Sequence, residues 1–66
     1  PNRLYSFYDA LRGIHIKNFP SWRFGQFYLN FLDWLKDTKR VDGFYTEEDE
    51  LLEYVKEFVN SVVKSK

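Results

Sequence analysis

The chain has 66 residues, with ten Lys or Arg, ten Asp or Glu and a formal net charge of zero. A chain of this length can bury one hydrophobic core, so a second domain is excluded and residues 1–66 are predicted to form a single domain. It has no cysteine and one histidine, which excludes disulfides and thiolate metal sites, and we expect neither a metal nor another cofactor.

Charged residues make up 30% of the sequence, and no apolar run approaches the roughly 20 residues that a membrane span needs. We therefore expect a soluble protein that does not bind a membrane. Residues 1–16 mix charged with apolar side chains and lack the continuous apolar stretch of a signal peptide. A cytoplasmic location is the resulting expectation.

The first predicted helix lies near residues 3–16. Its apolar residues recur at the spacing of one helical face: Leu4, Phe7, Tyr8, Leu11 and Ile14. A connection is predicted after it, because the residue before Pro20 is pushed out of the helical region and Asn18 and Ser21 both favour the N-cap position.

The second predicted helix, near residues 20–38, is the richest in aromatic side chains. Four apolar residues form its expected core stripe: Phe24, Phe27, Phe31 and Leu35. Three more fall beside or beyond that stripe: Trp22, Leu29 and Trp34. The apolar surface is wider than one face, which predicts a central helix contacted from more than one side. The turn-forming pair Asp42 and Gly43 follows it.

The third predicted helix lies near residues 46–64, and Thr46 with Asp49 has the spacing of a capping box. The acidic run at 47–50 falls in the first turn, where the helix dipole favours negative charge, while Lys64 falls at the opposite end. Its expected core stripe is Leu51, Val55, Phe58 and Val62. Together the three segments predict an all-α fold, a small three-helix bundle.

Charge is unevenly distributed along the chain. Residues 1–41 contain seven Lys or Arg and three Asp or Glu, whereas residues 42–66 contain three and seven. Packing of the acidic third segment beside the basic second explains this distribution. The excess of basic residues in the first 41 positions also permits a weak alternative, a nucleic-acid-associated regulator. The basic residues it would use are Arg3, Arg12, Lys17, Lys36, Lys39 and Arg40.

No catalytic site is expected. A hydrolytic triad would need His15 as its base, and no nucleophile elbow lies near this residue. The three glycines are too far apart to form a phosphate-binding loop. His15 is instead expected to be a surface or half-buried residue near a helix end.

Two polar residues interrupt the aromatic second helix and need partners if they are buried. We expect Arg23 to form a charged contact with one of the acidic residues at 47–50. Gln26 is expected to hydrogen-bond to the backbone of the link at 43–45, with Gly25 permitting close approach. The alternative is that these residues belong to a recognition patch.

A Pro-x-Trp-Arg-Phe-Gly-Gln segment at 20–26 and a Phe-Tyr-x-Glu-Glu-Asp-Glu-Leu segment at 44–51 resemble the paired motifs of a group of short uncharacterised bacterial and phage-borne proteins. Ser21 stands where that group has an acidic residue, which changes a helix cap but not the pattern. The resemblance implies a bacterial or phage origin and suggests that the two segments act together. It implies no activity.

The surplus of rings predicts a non-catalytic protein–protein interaction module whose partner is another protein or a second copy of the chain. Seven Phe, five Tyr and two Trp exceed what a core of this size encloses, and Tyr, Trp and Arg are typical interface anchors. The candidate interaction residues are Trp22, Arg23, Gln26, Tyr28, Trp34, Phe44 and Tyr45. If the chain self-associates or binds a partner, several of five rings are expected to form a contiguous exposed patch: Trp22, Trp34, Tyr5, Tyr28 and Tyr54.

Overall fold

The protein is described by a computed structural model that covers residues 2–64. It contains three α-helices, and no strand is present in this part of the chain. They are α1 (Asn2–Asn18), α2 (Phe24–Trp34) and α3 (Glu48–Lys64). The predicted all-α, three-helix fold is confirmed.

The second helix starts four residues later than predicted. Residues 19–22 form a separate turn, in which the Trp22 N–H donates to the Phe19 carbonyl at 3.0 Å. Phe19 is buried and its ring stacks on Trp22 with centroids 4.2 Å apart, so burial of this ring favours the turn over an early helix start. Arg23 is the N-cap, with the extended backbone that this position requires.

The carboxyl end of α2 widens into a π-helical turn, Leu35–Lys39. The Arg40 N–H donates to the Leu35 carbonyl, five residues back, and Leu35 is fully buried. Arg40 has a left-handed backbone, with φ 58°, and this conformation ends the helix.

The predicted capping box of α3 is wrong. The Thr46 hydroxyl donates to the Asp42 carbonyl, and the Asp49 carboxylate accepts the N–H of its neighbour Glu50, so neither side chain makes the reciprocal contact. The helix begins at Glu48, two residues later than predicted, with acidic residues in its first turn and Lys64 in its last, as expected.

The core is built around Phe58 of α3. Its ring lies 5.7 Å from Phe31, 6.1 Å from Phe19 and 6.5 Å from Phe27, measured between centroids. The buried residues are Phe19, Phe27, Phe31, Leu35, Val55 and Phe58. The predicted core stripes hold for most positions. Phe24 and Tyr8 are exceptions, because both are exposed on the outer surfaces of their helices.

Among residues 2–64, two ion pairs join different elements. Arg3 Nε of α1 lies 2.9 Å from Glu48 Oε1 at the start of α3, and Lys39 Nζ lies 2.6 Å from Glu57 Oε1. The first pair joins the amino ends of α1 and α3, and Phe19, just after α1, contacts Phe58 farther along α3. The first and third helices therefore run parallel. No described helix is both long enough and apolar enough to cross a membrane.

Candidate interaction surface

The link between α2 and α3 is a hydrogen-bonded turn. The Asp42 carboxylate accepts the Phe44 N–H at 2.9 Å, and the Asp42 carbonyl accepts both the Tyr45 N–H at 3.1 Å and the Thr46 hydroxyl at 3.0 Å. Gly43 lies against Leu32, where a side chain would not fit without movement. These contacts give the link one defined conformation, with its residues 43–45 in a short 3₁₀ turn.

The same turn directs two aromatic rings into solvent. Phe44 is 84% exposed and Tyr45 is 80% exposed, and their rings form an edge-to-face pair with centroids 4.8 Å apart. Edge-to-face contact stabilises the two rings relative to each other. The turn therefore presents an apolar projection made of two rings that contact each other.

Two further rings are exposed on α2. Phe24 is 59% exposed and Tyr28, one helical turn later, is 44% exposed; the two stack with centroids 5.4 Å apart. Tyr28 and Phe44 line the same groove. We call the four residues Phe24, Tyr28, Phe44 and Tyr45 the aromatic band.

The groove has a volume of about 890 Å³ and is open to solvent. Apolar residues Leu32 and Val41 contribute to its lining, together with Gly43. Charged side chains also line it: Asp33, Lys36, Asp37, Arg40 and Asp42. The groove thus combines an apolar surface with charges of both signs.

The five aromatic residues among the predicted interaction residues fall into two structural groups. Tyr28, Phe44 and Tyr45 belong to the aromatic band. Trp22 and Trp34 are half-buried and pack against the core, Trp22 on Phe19 and Trp34 on Phe58. The indoles therefore contribute to folding and leave less surface for a partner.

The five rings named above do not form the expected contiguous exposed patch. Trp22, Trp34 and Tyr54 all pack against the core, while Tyr5 is exposed on α1 and Tyr28 is exposed on α2. Phe24 and Leu29 of α2 are also exposed, which helical spacing did not predict. Placing the start of α2 at 24 instead of 20 would have put Phe24 at a helix end, where fewer neighbours can cover a ring.

The expected contact of Arg23 with the acidic start of α3 is also wrong. Arg23 is exposed, and its guanidinium forms no ion pair with another residue of 2–64. Arg3 occupies that role instead, through Glu48. The hydrogen bond from Arg3 holds the pKa of the Glu48 carboxyl below its usual value.

Gln26 and Gly25 likewise differ from expectation. The Gln26 side-chain oxygen accepts the Arg23 N–H at 2.7 Å, which caps the start of α2 instead of bonding the link. Nothing lies within 4 Å of a Cβ built on Gly25, so no close approach requires this glycine. Arg23 and Gln26 are therefore exposed neighbours of Phe24 at one end of the aromatic band.

Half of the basic residues considered for nucleic-acid binding are engaged by carboxylates. Arg3 pairs with Glu48, Arg12 with Asp9 at 2.9 Å, and Lys39 with Glu57. The hydrogen bond to Glu57 raises the pKa of Lys39 above its usual value. These pairs leave a smaller free basic surface than the sequence count indicates.

Within residues 2–64, no group of three or more His, Asp or Glu side chains is arranged to hold a metal ion. Comparison of the chain with protein-family models, with curated proteins and with solved structures found no match.

Proposed function

We propose that this chain is a small non-catalytic protein–protein interaction module that binds its partner through the aromatic band. The single observation that supports this most directly is the exposure of two contacting ring pairs on so short a chain, with one ring of each pair, Tyr28 and Phe44, lining the same groove. Burying a large apolar side chain contributes roughly 1.5–3 kcal/mol, so covering the band on binding is favourable.

The construction of the band also supports binding. Three hydrogen bonds to Asp42 hold the backbone that carries Phe44 and Tyr45, and the Phe24 ring stacks on Tyr28. Rigid aromatic side chains lose little conformational entropy when a partner covers them and often dominate the binding energy of an interface. Exposed apolar patches of this kind mark interaction sites on soluble proteins.

The proposal extends to a cytoplasmic setting in bacteria or their phages, following the resemblance of the segments at 20–26 and 44–51. The nucleic-acid alternative has less support, because a phosphate backbone that approached Lys36 and Arg40 would also meet Asp33 and Asp37 on the same groove. Their carboxylates would repel it.

Site-specific photo-crosslinking tests the proposed function. A photoreactive phenylalanine analogue is placed at Phe44, or at Tyr5 on α1 as a matched exposed control, and each protein is irradiated in a lysate of the source organism. We expect discrete protein adducts from position 44 that are lost when Phe24 and Tyr28 are changed to Ala. Equal adducts from positions 44 and 5, or nuclease-sensitive adducts, would contradict the proposal.

A further inference from the structure

We infer that the partner covering the aromatic band is a second copy of this chain, related to the first by a two-fold axis. This inference rests on the proposed function and names its partner. Its support comes from the charges and the shape of the groove surface, and the exposed area indicates how strong the association is.

The charges that line the groove are self-complementary. Asp33 and Asp37 supply two negative charges and Lys36 and Arg40 two positive ones, and all four side chains are exposed. None forms an ion pair with another described residue. A two-fold axis brings one surface against itself, so carboxylates of one copy can meet cations of the other.

A partner with a single sign of charge would gain two contacts and suffer two repulsions at the same place. The third groove carboxylate, Asp42, already accepts the Phe44 N–H and so is partly satisfied within the chain. The formal net charge of zero also means that two copies approach without net repulsion. Charge therefore favours a second copy over a strongly acidic or strongly basic partner.

The shape of the surface is also self-complementary. The Phe44–Tyr45 projection and the groove lie side by side, with Phe44 belonging to both. A two-fold interface pairs each projection with the groove of the other copy and uses the same residues twice. The groove volume of about 890 Å³ falls within the roughly 300–1,000 Å³ of pockets that accept groups larger than one ring.

The area sets the expected strength. At about 200 Å² for a fully exposed ring, the exposed fractions of the aromatic band give roughly 500 Å² on each copy. A stable interface buries about 800 Å² on each partner, and smaller ones belong to weak or transient contacts. The band with its charged neighbours therefore predicts a weak, reversible dimer.

Two charge variants provide the test. An acidic variant carries Lys36→Glu and Arg40→Glu, and a basic variant carries Asp33→Lys and Asp37→Lys. Because all four positions are exposed, both variants should retain the helical circular dichroism spectrum of the parent. Analytical ultracentrifugation up to about 1 mM at low salt then measures association of each protein alone and of the equimolar mixture.

We expect the parent to form dimers, each variant alone to associate at least ~10-fold more weakly, and the mixture to recover dimers. Phe44→Ala should weaken the parent dimer ~10-fold or more, whereas Tyr5→Ala should leave it unchanged. Recovery in the mixture excludes general destabilisation of the fold, which mixing would not reverse. Because the two variants carry opposite net charges, the recovery must also be lost when both carry Phe44→Ala.

A parent that stays monomeric at about 1 mM, or charge variants that associate as strongly as the parent, would overturn the inference. These outcomes are distinguishable from failure of the proposed function. If specific adducts from position 44 contain a different protein and none contains a second copy, the interaction module stands and self-association fails. If position 44 gives no specific adduct and the parent is monomeric, both fail.

Discussion

His15 shows how a single polar side chain can hold a connection in place. Its Nε2 lies 2.8 Å from the Trp22 carbonyl oxygen, and since a carbonyl can only accept, Nε2–H is the donor. The imidazole also stacks on Phe27 with centroids 4.7 Å apart. It is half-buried near the end of α1, as expected from the sequence, and its two contacts join α1 to the start of α2.

These two contacts of His15 can be separated by substitution. His15→Ala removes both and should lower the free energy of unfolding by about 2 kcal/mol, whereas His15→Phe keeps a ring on Phe27 and should lower it by about 1 kcal/mol. Urea unfolding followed by circular dichroism measures both values. If the two variants were equally stable, stacking on Phe27 would contribute nothing.

Alanine substitutions at two glycines should change the stability of the protein in opposite directions. A Cβ at Gly43 would lie 2.9 Å from Leu32 Cδ2, so Gly43→Ala must displace that side chain and should cost about 1 kcal/mol. A Cβ at Gly13, inside α1, meets nothing within 4 Å, so Gly13→Ala should stabilise the protein by about 1 kcal/mol. Thermal unfolding of the two variants should therefore shift in opposite directions. A rise in both midpoints would show that Leu32 adapts freely.

At the scale of elements, Arg3 and Glu48 connect the parallel helices α1 and α3. The Glu48 pKa is lower in the folded protein than its ordinary value of 4.5, chiefly through the hydrogen bond from Arg3. Between the folded-state pKa of Glu48 and its ordinary value, the unfolded chain therefore binds more protons than the folded chain does. The resulting stability is fully present above about pH 5 and is lost as the pH falls through the folded-state pKa.

Arg3→Ala should remove this acid-sensitive contribution. The difference in unfolding free energy between parent and variant is expected to be constant from about pH 5 to 7 and to shrink as the pH approaches 3. Urea titrations across this range measure it. Arg12→Ala is the matched control, because Arg12 pairs with Asp9 within α1 and joins no two helices. A difference that did not vary with pH would assign the effect of Arg3 to packing of its side chain.

Local patterns predicted the elements better than their ends. Helical spacing placed Phe27, Phe31 and Leu35 on one buried face and Val55 with Phe58 on another, because burial follows periodicity directly. The late start of α2 depends on Phe19 meeting Phe58, a contact between residues far apart in sequence. The π-turn at Leu35–Lys39 has the same origin, since its buried Leu35 is held by the tertiary core.

The candidate site was partly predictable for a related reason. Composition alone indicated a surplus of rings, and four rings do lie exposed in the aromatic band. Which rings these are depends on what covers each helix. Trp22 packs on Phe19 and Trp34 packs on Phe58. The acidic start of α3 pairs with Arg3 and not with Arg23, and no local sequence pattern indicates that Arg3 of α1 lies beside α3.

For the whole molecule, small size and an exposed aromatic surface together mean that binding of a partner should stabilise the folded chain. A chain of this length buries only about 60% of the surface exposed on unfolding, so its stability is modest. Any partner that binds the folded chain alone adds stability by mass action. If the partner is a second copy, the protein is stabilised by its own concentration.

Thermal stability should therefore increase with protein concentration. Between about 10 µM and 1 mM, dimer formation should raise the unfolding midpoint by several degrees, because about 1 kcal/mol of added stability shifts the midpoint of so small a domain by roughly 4–8 °C. The Lys36→Glu, Arg40→Glu variant should show no such rise, because its groove carries one sign of charge, whereas Tyr5→Ala should behave as the parent does. Differential scanning calorimetry at matched low salt measures all three proteins. A midpoint for the parent that is independent of concentration would mean that the aromatic band remains uncovered in the purified protein and that a different protein is needed to bury it.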